Sequence, residues 1–301
     1  MEPEPRSVTV LRPRVAVAGM RTYLGLLKAR IVVPMVAVAL VTAFVAGNGQ
    51  VPLGIIVALA LAGGLASAGA ACLNHYLDRD VDAIMPRTRQ RPIPSGEVHN
   101  PATALLLGLA LIGLGLAFAS RLSHASLVFI ALGAFFYVVV YTGWLKRSSP
   151  LNVVIGGFAG SCAALAGWLA VSPQLSLTPV LVGTMIFLWT PSHFWSLAIA
   201  LQQEYRQAGI PMLPVLLGRQ RTACAIFAHT ALTFLTSLLP YHAGLLGLPY
   251  LTIALAAGFV ALLSALRLLA QPSAAVAWQN YKLSGIYLAA LFVGMLVNMV
   301  A

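Results

Sequence analysis

The chain has 301 residues, of which 60% are hydrophobic and only 8% are charged. A typical soluble domain carries about 25% charged residues, so this composition excludes a soluble protein and indicates one that lies in a lipid bilayer. The net charge of +11 would suggest a nucleic-acid ligand in a soluble protein. Here the cations are explained by membrane topology, and we expect no nucleic-acid partner.

The predicted elements begin with a basic segment. Residues 1–20 are expected to form a flexible cytoplasmic arm, and they contain no apolar stretch of the kind found in a signal peptide. Nine apolar stretches follow, each long enough to cross a membrane as an α-helix. We therefore predict an all-α fold, a bundle of nine transmembrane helices forming a single domain over residues 1–301, with spans at about 31–48, 52–74, 101–120, 124–143, 151–171, 178–201, 222–240, 246–270 and 283–300.

The distribution of cations predicts the orientation of this bundle. All 18 Lys and Arg residues except Arg121 fall in the arm or in loops on one side. Because cytoplasmic loops are enriched in Lys and Arg, we expect a multi-pass protein of the cell (plasma) membrane with a cytoplasmic N-terminus and the C-terminus outside. The two long loops, 75–100 and 202–221, would both be cytoplasmic, and they contain five of the seven acidic residues.

The first long loop begins with an unusual cluster of oxygen-bearing side chains. Asn74, Asp78 and Asp82 recur every four residues, so on a helix they share one face, whereas Asp80 points about 200° away from Asp78. Carboxylate and amide oxygens are the ligands that Mg²⁺ prefers, and Mg²⁺ usually completes its shell with water and substrate phosphates. The alternative is that the acids only pair with nearby arginines, of which Arg79 is the nearest.

Cations suited to phosphate follow the acids in the same loop. Arg87, Arg89 and Arg91 lie within ten residues of Asp82, and guanidinium groups bind phosphate oxygens through paired N–H donors. The pattern therefore predicts a magnesium–diphosphate site at this end of the bundle. A metal and arginines there would stabilise the charge on a departing diphosphate.

Two histidines are further candidates for the site. His193 lies near the cytoplasmic end of a predicted span, where an ionisable group is often functional. It is predicted to contact a cofactor-like substrate or the metal site, or to be a neutral histidine bonded to the backbone. His75 adjoins Asn74 and is a second candidate.

Four strings in the chain together resemble a known family. They are Asn74 to Asp82 followed by Arg87 to Pro92; Tyr141 to Arg147 with Asn152 and Ile155 to Gly157; Pro191 to Trp195; and Glu204-Tyr205 with Ala208 to Pro214. The first string and the nine spans resemble the UbiA superfamily of intramembrane prenyltransferases. All four together resemble, within it, the protoheme IX farnesyltransferase family.

The resemblance implies an enzyme that binds farnesyl diphosphate through Mg²⁺ and transfers the farnesyl group to a vinyl group of haem B, giving haem O. It also implies haem A synthase or terminal oxidase assembly proteins as partners. The implied catalytic and metal-binding residues are Asn74, Asp78 and Asp82, with Glu204 as a further metal ligand. Diphosphate oxygens would be held by Arg87, Arg91, Lys146 and Arg147, and haem or supporting contacts would come from His193, His75, Asp80 and Tyr205.

The chain departs from the family pattern in its second acidic motif. That motif often has consecutive acids before the tyrosine, whereas this chain has the single Glu204. Three alternatives stay open: prenylation of another acceptor such as a quinone precursor or a chlorin, a membrane transporter, which nine apolar spans would also suit, and a non-catalytic haem-binding assembly factor whose second motif has decayed. A transporter would place ionisable residues near the bilayer midplane, whereas the acids here lie in the loops.

Overall fold

In the computed structural model, which describes residues 19–300, the chain is helical, and this part contains no β-strand. Nine helical segments, each one helix or a run of consecutive helices, are long and apolar enough to cross a membrane, so the predicted all-α architecture and the number of spans are confirmed within residues 19–300. The expected arm 1–20 lies outside the described residues apart from its last two positions. The nine spans are Ala29–Ala46, Leu53–Leu77, Pro101–Ala119, His124–Ser148, Asn152–Val171, Leu177–Ala200, Leu213–His242, Leu248–Ala270 and Ala274–Val300.

We number the helices in chain order, including the short ones. They are α1 (Met20–Leu26), α2 (Ala29–Ala46), α3 (Leu53–Leu77), α4 (Arg79–Ile84), α5 (Pro101–Ala119), α6 (His124–Phe135), a π-helix (Phe136–Leu145), α7 (Lys146–Ser148), α8 (Asn152–Gly156), α9 (Phe158–Val171), α10 (Leu177–Ala200), α11 (Gln202–Gln207), α12 (Leu213–His242), α13 (Leu248–Ala270) and α14 (Ala274–Val300).

Two spans begin earlier than hydropathy predicts. The seventh begins at Leu213 and the ninth at Ala274, nine residues before the expected starts at 222 and 283. Hydropathy marks only the part of a helix that matches the hydrocarbon layer, and a 30-residue helix such as α12 is about 45 Å long. The extra turns of α12 lie in the segment 202–221 that was expected to be a loop, and Gly218 (φ 78°) kinks the helix there.

Small residues allow the spans to pack closely. A Cβ atom placed on Gly69 of α3 would lie 2.6 Å from the carbonyl oxygen of Gly108 in α5, and one on Gly115 would lie 2.7 Å from the backbone nitrogen of Ala66. Membrane helices commonly approach each other through such small residues. The close packing of α3 and α5 holds the C-terminal part of α3, where the acidic cluster begins.

The two long loops share one hydrophobic cluster. Val81 and Met85 of the first loop are buried in the same cluster as Tyr205, Ile210 and Met212 of the second. Burying these side chains together removes apolar surface from water and fixes one loop against the other. The fold therefore brings the two segments with clustered acids to the same place.

Candidate functional site

The three oxygen-bearing residues of the first loop span a helix break. Helix α3 ends at Leu77, and Asp78 (φ −91°, ψ 4°) separates it from α4, so the expected single helix through all three is wrong at this point. The reason lies in the arginines, because Arg147 Nη2 donates to the carbonyl of Leu77 and Arg79 Nη1 donates to that of Tyr76, both at 2.7 Å. Side chains thus satisfy carbonyls that a continuous helix would use.

The four-residue spacing nevertheless survives the break. The Asp78 N–H donates to the carbonyl of Asn74 (2.9 Å) and the Asp82 N–H donates to that of Asp78 (2.7 Å). The exposed fractions of Asn74, Asp78 and Asp82 are only 3%, 0% and 2%. Buried carboxylates are costly unless they are paired, so this arrangement requires cations beside it.

Two predicted diphosphate-binding residues supply those cations. Lys146 forms an ion pair with Asp78 Oδ2, and Arg91 Nη1 lies 2.6 Å from Asp82 Oδ2. The Asn74 amide nitrogen also donates to Asp78 Oδ2 at 2.7 Å. The structure therefore brings two acids, one amide and two cations into one buried polar cluster.

Arg147 and Asp80 pair with each other beside this cluster. The guanidinium donates to both carboxylate oxygens of Asp80 at 2.7 Å and lies 4.0 Å from Asp78 Oδ1. Both side chains are exposed, and the hydrogen bond from Arg147 lowers the pKa of Asp80 to about 2. In this structure Arg147 therefore anchors Asp80 and the end of α3.

Glu204 lies at the junction of the two loops. Its Oε2 accepts a long hydrogen bond from the backbone N–H of Arg87 (3.5 Å), whose own side chain is exposed. Its helix, α11, is held by Gln202, which donates to the carbonyl of Pro214 (2.5 Å) and accepts from Arg219 (2.8 Å). The next residue, Tyr205, is buried, and burial raises the pKa of its phenol.

The structure does not gather three acids around one point. Within the range 19–300, no three His, Cys, Asp or Glu side chains are grouped so that they could hold a metal ion. Glu204 contacts the backbone of Arg87 instead of joining Asp78 and Asp82. The expected four-residue ligand set is thus divided here into a buried cluster and a separate acid on the facing loop.

Sequence reasoning missed two residues of the cluster. Lys28, assigned only as a topology signal, joins α1 to α2 with φ 48° and donates to Asn74 Oδ1. Desolvation of its ammonium group, aided by the charge of Arg91, lowers the pKa of Lys28 to about 7. Thr142 of the π-helix is 1% exposed and accepts a hydrogen bond from the Asn74 amide nitrogen at 2.9 Å. Neither contact with Asn74 can be predicted from the hydropathy or the charge pattern of the sequence.

The π-helix also positions aromatic groups near the cluster. The rings of Tyr137 and Tyr141 are stacked, with centroids 5.9 Å apart and planes 18° apart. Gly156 leaves room for the second ring, because a Cβ there would lie 2.7 Å from Tyr141 Cδ2. Two aromatic faces therefore lie on the helix that also carries Thr142 and Lys146.

The two candidate histidines have different surroundings. His75 is 2% exposed, and neither of its ring nitrogens has a hydrogen-bond partner among residues 19–300. His193 Nδ1 lies 2.8 Å from Ser284 Oγ, and its ring lies between those of Trp189 and Tyr281, each with its centroid 4.3 Å away. His193 thus contacts the hydroxyl of Ser284 and also makes a hydrogen bond with the backbone of Tyr281, so its contacts are compatible with the alternative of a backbone-bonded histidine.

The donor chemistry of the buried cluster fits a hard divalent cation. Asp78 Oδ1 is buried, and no donor in the described part of the chain makes a hydrogen bond to it. Carboxylate and amide oxygens from Asn74, Asp78 and Asp82 are hard ligands, too few to fill an octahedral shell without oxygens from water or a substrate. The cations nearby suit the same phosphorylated ligand.

Comparisons with known proteins show which sequences the chain is similar to. The sequence profile described as the UbiA prenyltransferase family matches residues 33–292. The chain is 44% identical over 280 residues to protoheme IX farnesyltransferase 1 of Cenarchaeum symbiosum, covering 91% of this chain and 94% of that protein. It is 43% identical to the protein of the same name from Pseudomonas putida, covering 93% and 95% of the two chains.

Solved structures share the fold at low sequence identity. The structure of digeranylgeranylglyceryl phosphate synthase superposes with a TM-score of 0.78 and 19% identity, covering 93% of this chain and 98% of that one. A UbiA homologue from Archaeoglobus fulgidus, bound to GPP and Mg²⁺, superposes with a TM-score of 0.64 and 17% identity, covering 91% and 99%. These matches show a shared fold, and the nine apolar helices among residues 19–300, together with the sequence profile, indicate a multi-pass membrane protein.

Proposed function

We propose that this chain, which belongs to the UbiA prenyltransferase family, transfers a farnesyl group from farnesyl diphosphate to a vinyl group of haem B and so makes haem O. The observation that carries the proposal is the buried cluster of Asn74, Asp78 and Asp82 with its cations, in a chain this similar to protoheme IX farnesyltransferases. The comparisons do not favour a transporter, an assembly factor or another acceptor.

Diphosphate binding is assigned to the acids and cations together. Asn74, Asp78 and Asp82 would hold Mg²⁺, which when bound shares diphosphate oxygens and withdraws charge from the leaving group. Lys146 and Arg91 already lie against the two carboxylates, so a diphosphate sharing the metal comes within reach of their N–H donors. Arg87 lies at the loop junction beside Glu204 and would contact the outer phosphate.

The transfer breaks the allylic C–O bond, the π bond of the vinyl group and one O–H bond of water, and it forms one C–C bond and one C–O bond. The allylic C–O bond of farnesyl diphosphate breaks, and diphosphate leaves with the electron pair. The farnesyl carbocation bonds to the terminal carbon of the haem vinyl group. Water then adds to the resulting haem carbocation and loses a proton, which gives a hydroxyethylfarnesyl substituent. The stacked rings of Tyr137 and Tyr141 would stabilise the positive charge through their faces.

The haem contact is assigned to the aromatic segment of α10. His193 is held by Ser284 through Nδ1 and lies between two aromatic rings, so its Nε2 would be the atom that meets haem. His75 would contribute on the diphosphate side, next to Asn74. We further propose that the long loops and the N-terminus face the cytoplasm of a cell (plasma) membrane, and that haem O passes to haem A synthase or to terminal oxidase assembly.

The proposal is tested by assaying membranes that contain the chain. Haem B and farnesyl diphosphate are added with Mg²⁺ or with EDTA, and haem O is identified by its mass. We expect haem O only with Mg²⁺, none from Asp82→Asn, and normal amounts from Glu97→Gln, which alters an exposed acid of the same loop. Prenylation of an added quinone precursor but not of haem would overturn the assigned acceptor.

A further inference from the structure

Thr142 makes two hydrogen bonds, and together they determine whether its hydroxyl donates to Asn74 or accepts from it. Its hydroxyl donates to the carbonyl of Tyr137, five residues earlier, at 2.8 Å, and its oxygen accepts from the Asn74 amide nitrogen at 2.9 Å. A hydroxyl has one hydrogen and two lone pairs. Since the hydrogen is used on Tyr137, the oxygen facing Asn74 can only accept.

The π-helix is what gives Thr142 this geometry. In an α-helix a threonine hydroxyl bonds the carbonyl three or four residues earlier, as Thr233 does with His229 at 2.8 Å. The wider turn of Phe136–Leu145 carries the bond back to the fifth residue. Such turns are rare and occur frequently at functional sites.

The orientation of the Asn74 amide follows from its neighbours. Its nitrogen donates to two acceptors, Thr142 Oγ1 and Asp78 Oδ2. Its oxygen accepts from Lys28, whose ammonium has only donors. Asp78 Oδ2 also binds Lys146, whereas Thr142 Oγ1 accepts a hydrogen bond from the Asn74 amide and from no other donor among residues 19–300.

We propose that Thr142 is a positioning residue: it holds the Asn74 amide nitrogen on its own side and so leaves the amide oxygen, which accepts from Lys28 in this structure, as the atom available to a metal ion. This inference rests on the proposed function, because it assigns Asn74 Oδ1 to the metal. An amide turned the other way would present two N–H donors to a divalent cation, which repels them. Partners that orient metal ligands typically change metal affinity by about 10–100-fold when they are removed.

The test compares Thr142→Ala with Thr142→Ser, which have side chains of similar size but differ in the acceptor oxygen. Purified protein is titrated with Mn²⁺ in saturating inorganic pyrophosphate, and bound Mn²⁺ is measured by electron paramagnetic resonance. We expect Thr142→Ala to weaken Mn²⁺ binding about tenfold or more and Thr142→Ser to stay within about threefold of wild type. Thr233→Ala, which removes an equally buried hydroxyl elsewhere, should bind like wild type.

The outcomes separate this inference from the proposed function. Equal Mn²⁺ affinity of Thr142→Ala and Thr142→Ser, in an enzyme that makes haem O, overturns the role of Thr142 alone. A similar loss in Thr233→Ala shows a general packing effect and also overturns it. Wild-type protein that neither binds Mn²⁺ with pyrophosphate nor makes haem O contradicts both proposals.

Discussion

Replacing Asp78 by Asn tests whether its buried charge balances that of Lys146. The Asp78 side chain is fully buried, that of Lys146 is 13% exposed, and the two form an ion pair. Removing one partner of a buried pair leaves an uncompensated charge, at a cost of about 3–5 kcal/mol. We expect Asp78→Asn to lower the free energy of unfolding by about that amount.

A second substitution separates stability from activity. Lys146→Met in the Asp78→Asn background removes the unbalanced ammonium, and apolar replacements of buried pairs are often neutral or stabilising. We therefore expect the double variant to recover about 2 kcal/mol or more relative to Asp78→Asn. Haem farnesylation should stay absent from both variants, because the carboxylate assigned to Mg²⁺ is missing.

The exposed pair between Asp80 and Arg147 is the matched control. Its atoms are as close as 2.7 Å, but the two side chains are 61% and 40% exposed, and exposed pairs contribute at most about 1 kcal/mol. Unfolding is measured by titrating detergent-solubilised protein with SDS while tryptophan fluorescence is followed. The reasoning is refuted if Asp78→Asn destabilises no more than Asp80→Asn, or if Lys146→Met gives no recovery.

Three further changes have defined outcomes. Arg91→Ala should raise the KM for farnesyl diphosphate about tenfold or more in steady-state assays, since a hydrogen bond to a charged group contributes about 1.5–3 kcal/mol. Arg89→Ala, which alters an exposed arginine of the same loop, should have little effect on the KM. Equal KM values for the two variants would count against the assigned contact. Gly156→Ala should lower the free energy of unfolding by roughly 1–3 kcal/mol, because the added Cβ would overlap the ring of Tyr141. Gly63→Ala, which has open space around it, should not lower it. Because the pKa of Asp80 is lowered from 3.8 to about 2, mainly by its arginine partner, the carboxylate stabilises the fold above about pH 4. The difference in unfolding free energy between wild type and Asp80→Asn should therefore disappear as the pH falls through about 2, and a difference unchanged at that pH would contradict the pairing.

The spans and the acidic cluster are predictable from the sequence for separate physical reasons. Each span must satisfy its own backbone in lipid, so a long apolar run has few structural alternatives to a helix. The four-residue spacing of Asn74, Asp78 and Asp82 still places these residues one helical turn apart, because backbone hydrogen bonds continue across the break at Asp78. The break is accompanied by contacts from Arg79, which is local, and from Arg147, which is distant in the chain and whose contact no local pattern reveals.

The rest of the site depends on contacts and backbone states that composition does not encode. Lys28 reaches Asn74 because its backbone adopts a left-handed conformation, which a lysine rarely does. Thr142 reaches the same amide from a π-helix, whose apolar sequence is also compatible with an α-helix. Glu204 meets Arg87 because two loops share a hydrophobic cluster, a tertiary arrangement formed by residues more than 100 positions apart.

Binding of farnesyl thiodiphosphate, an analogue that ionises poorly, tests the buried cluster most directly. Calorimetry on purified protein would compare Mg²⁺ with EDTA for wild type and for Asp78→Asn/Lys146→Met, which should be folded. The predicted result is Mg²⁺-dependent binding by wild type and its loss in the double variant. Binding by wild type that is equally tight in EDTA, or full Mg²⁺-dependent binding by the double variant, would contradict a magnesium–diphosphate site at Asn74, Asp78 and Asp82.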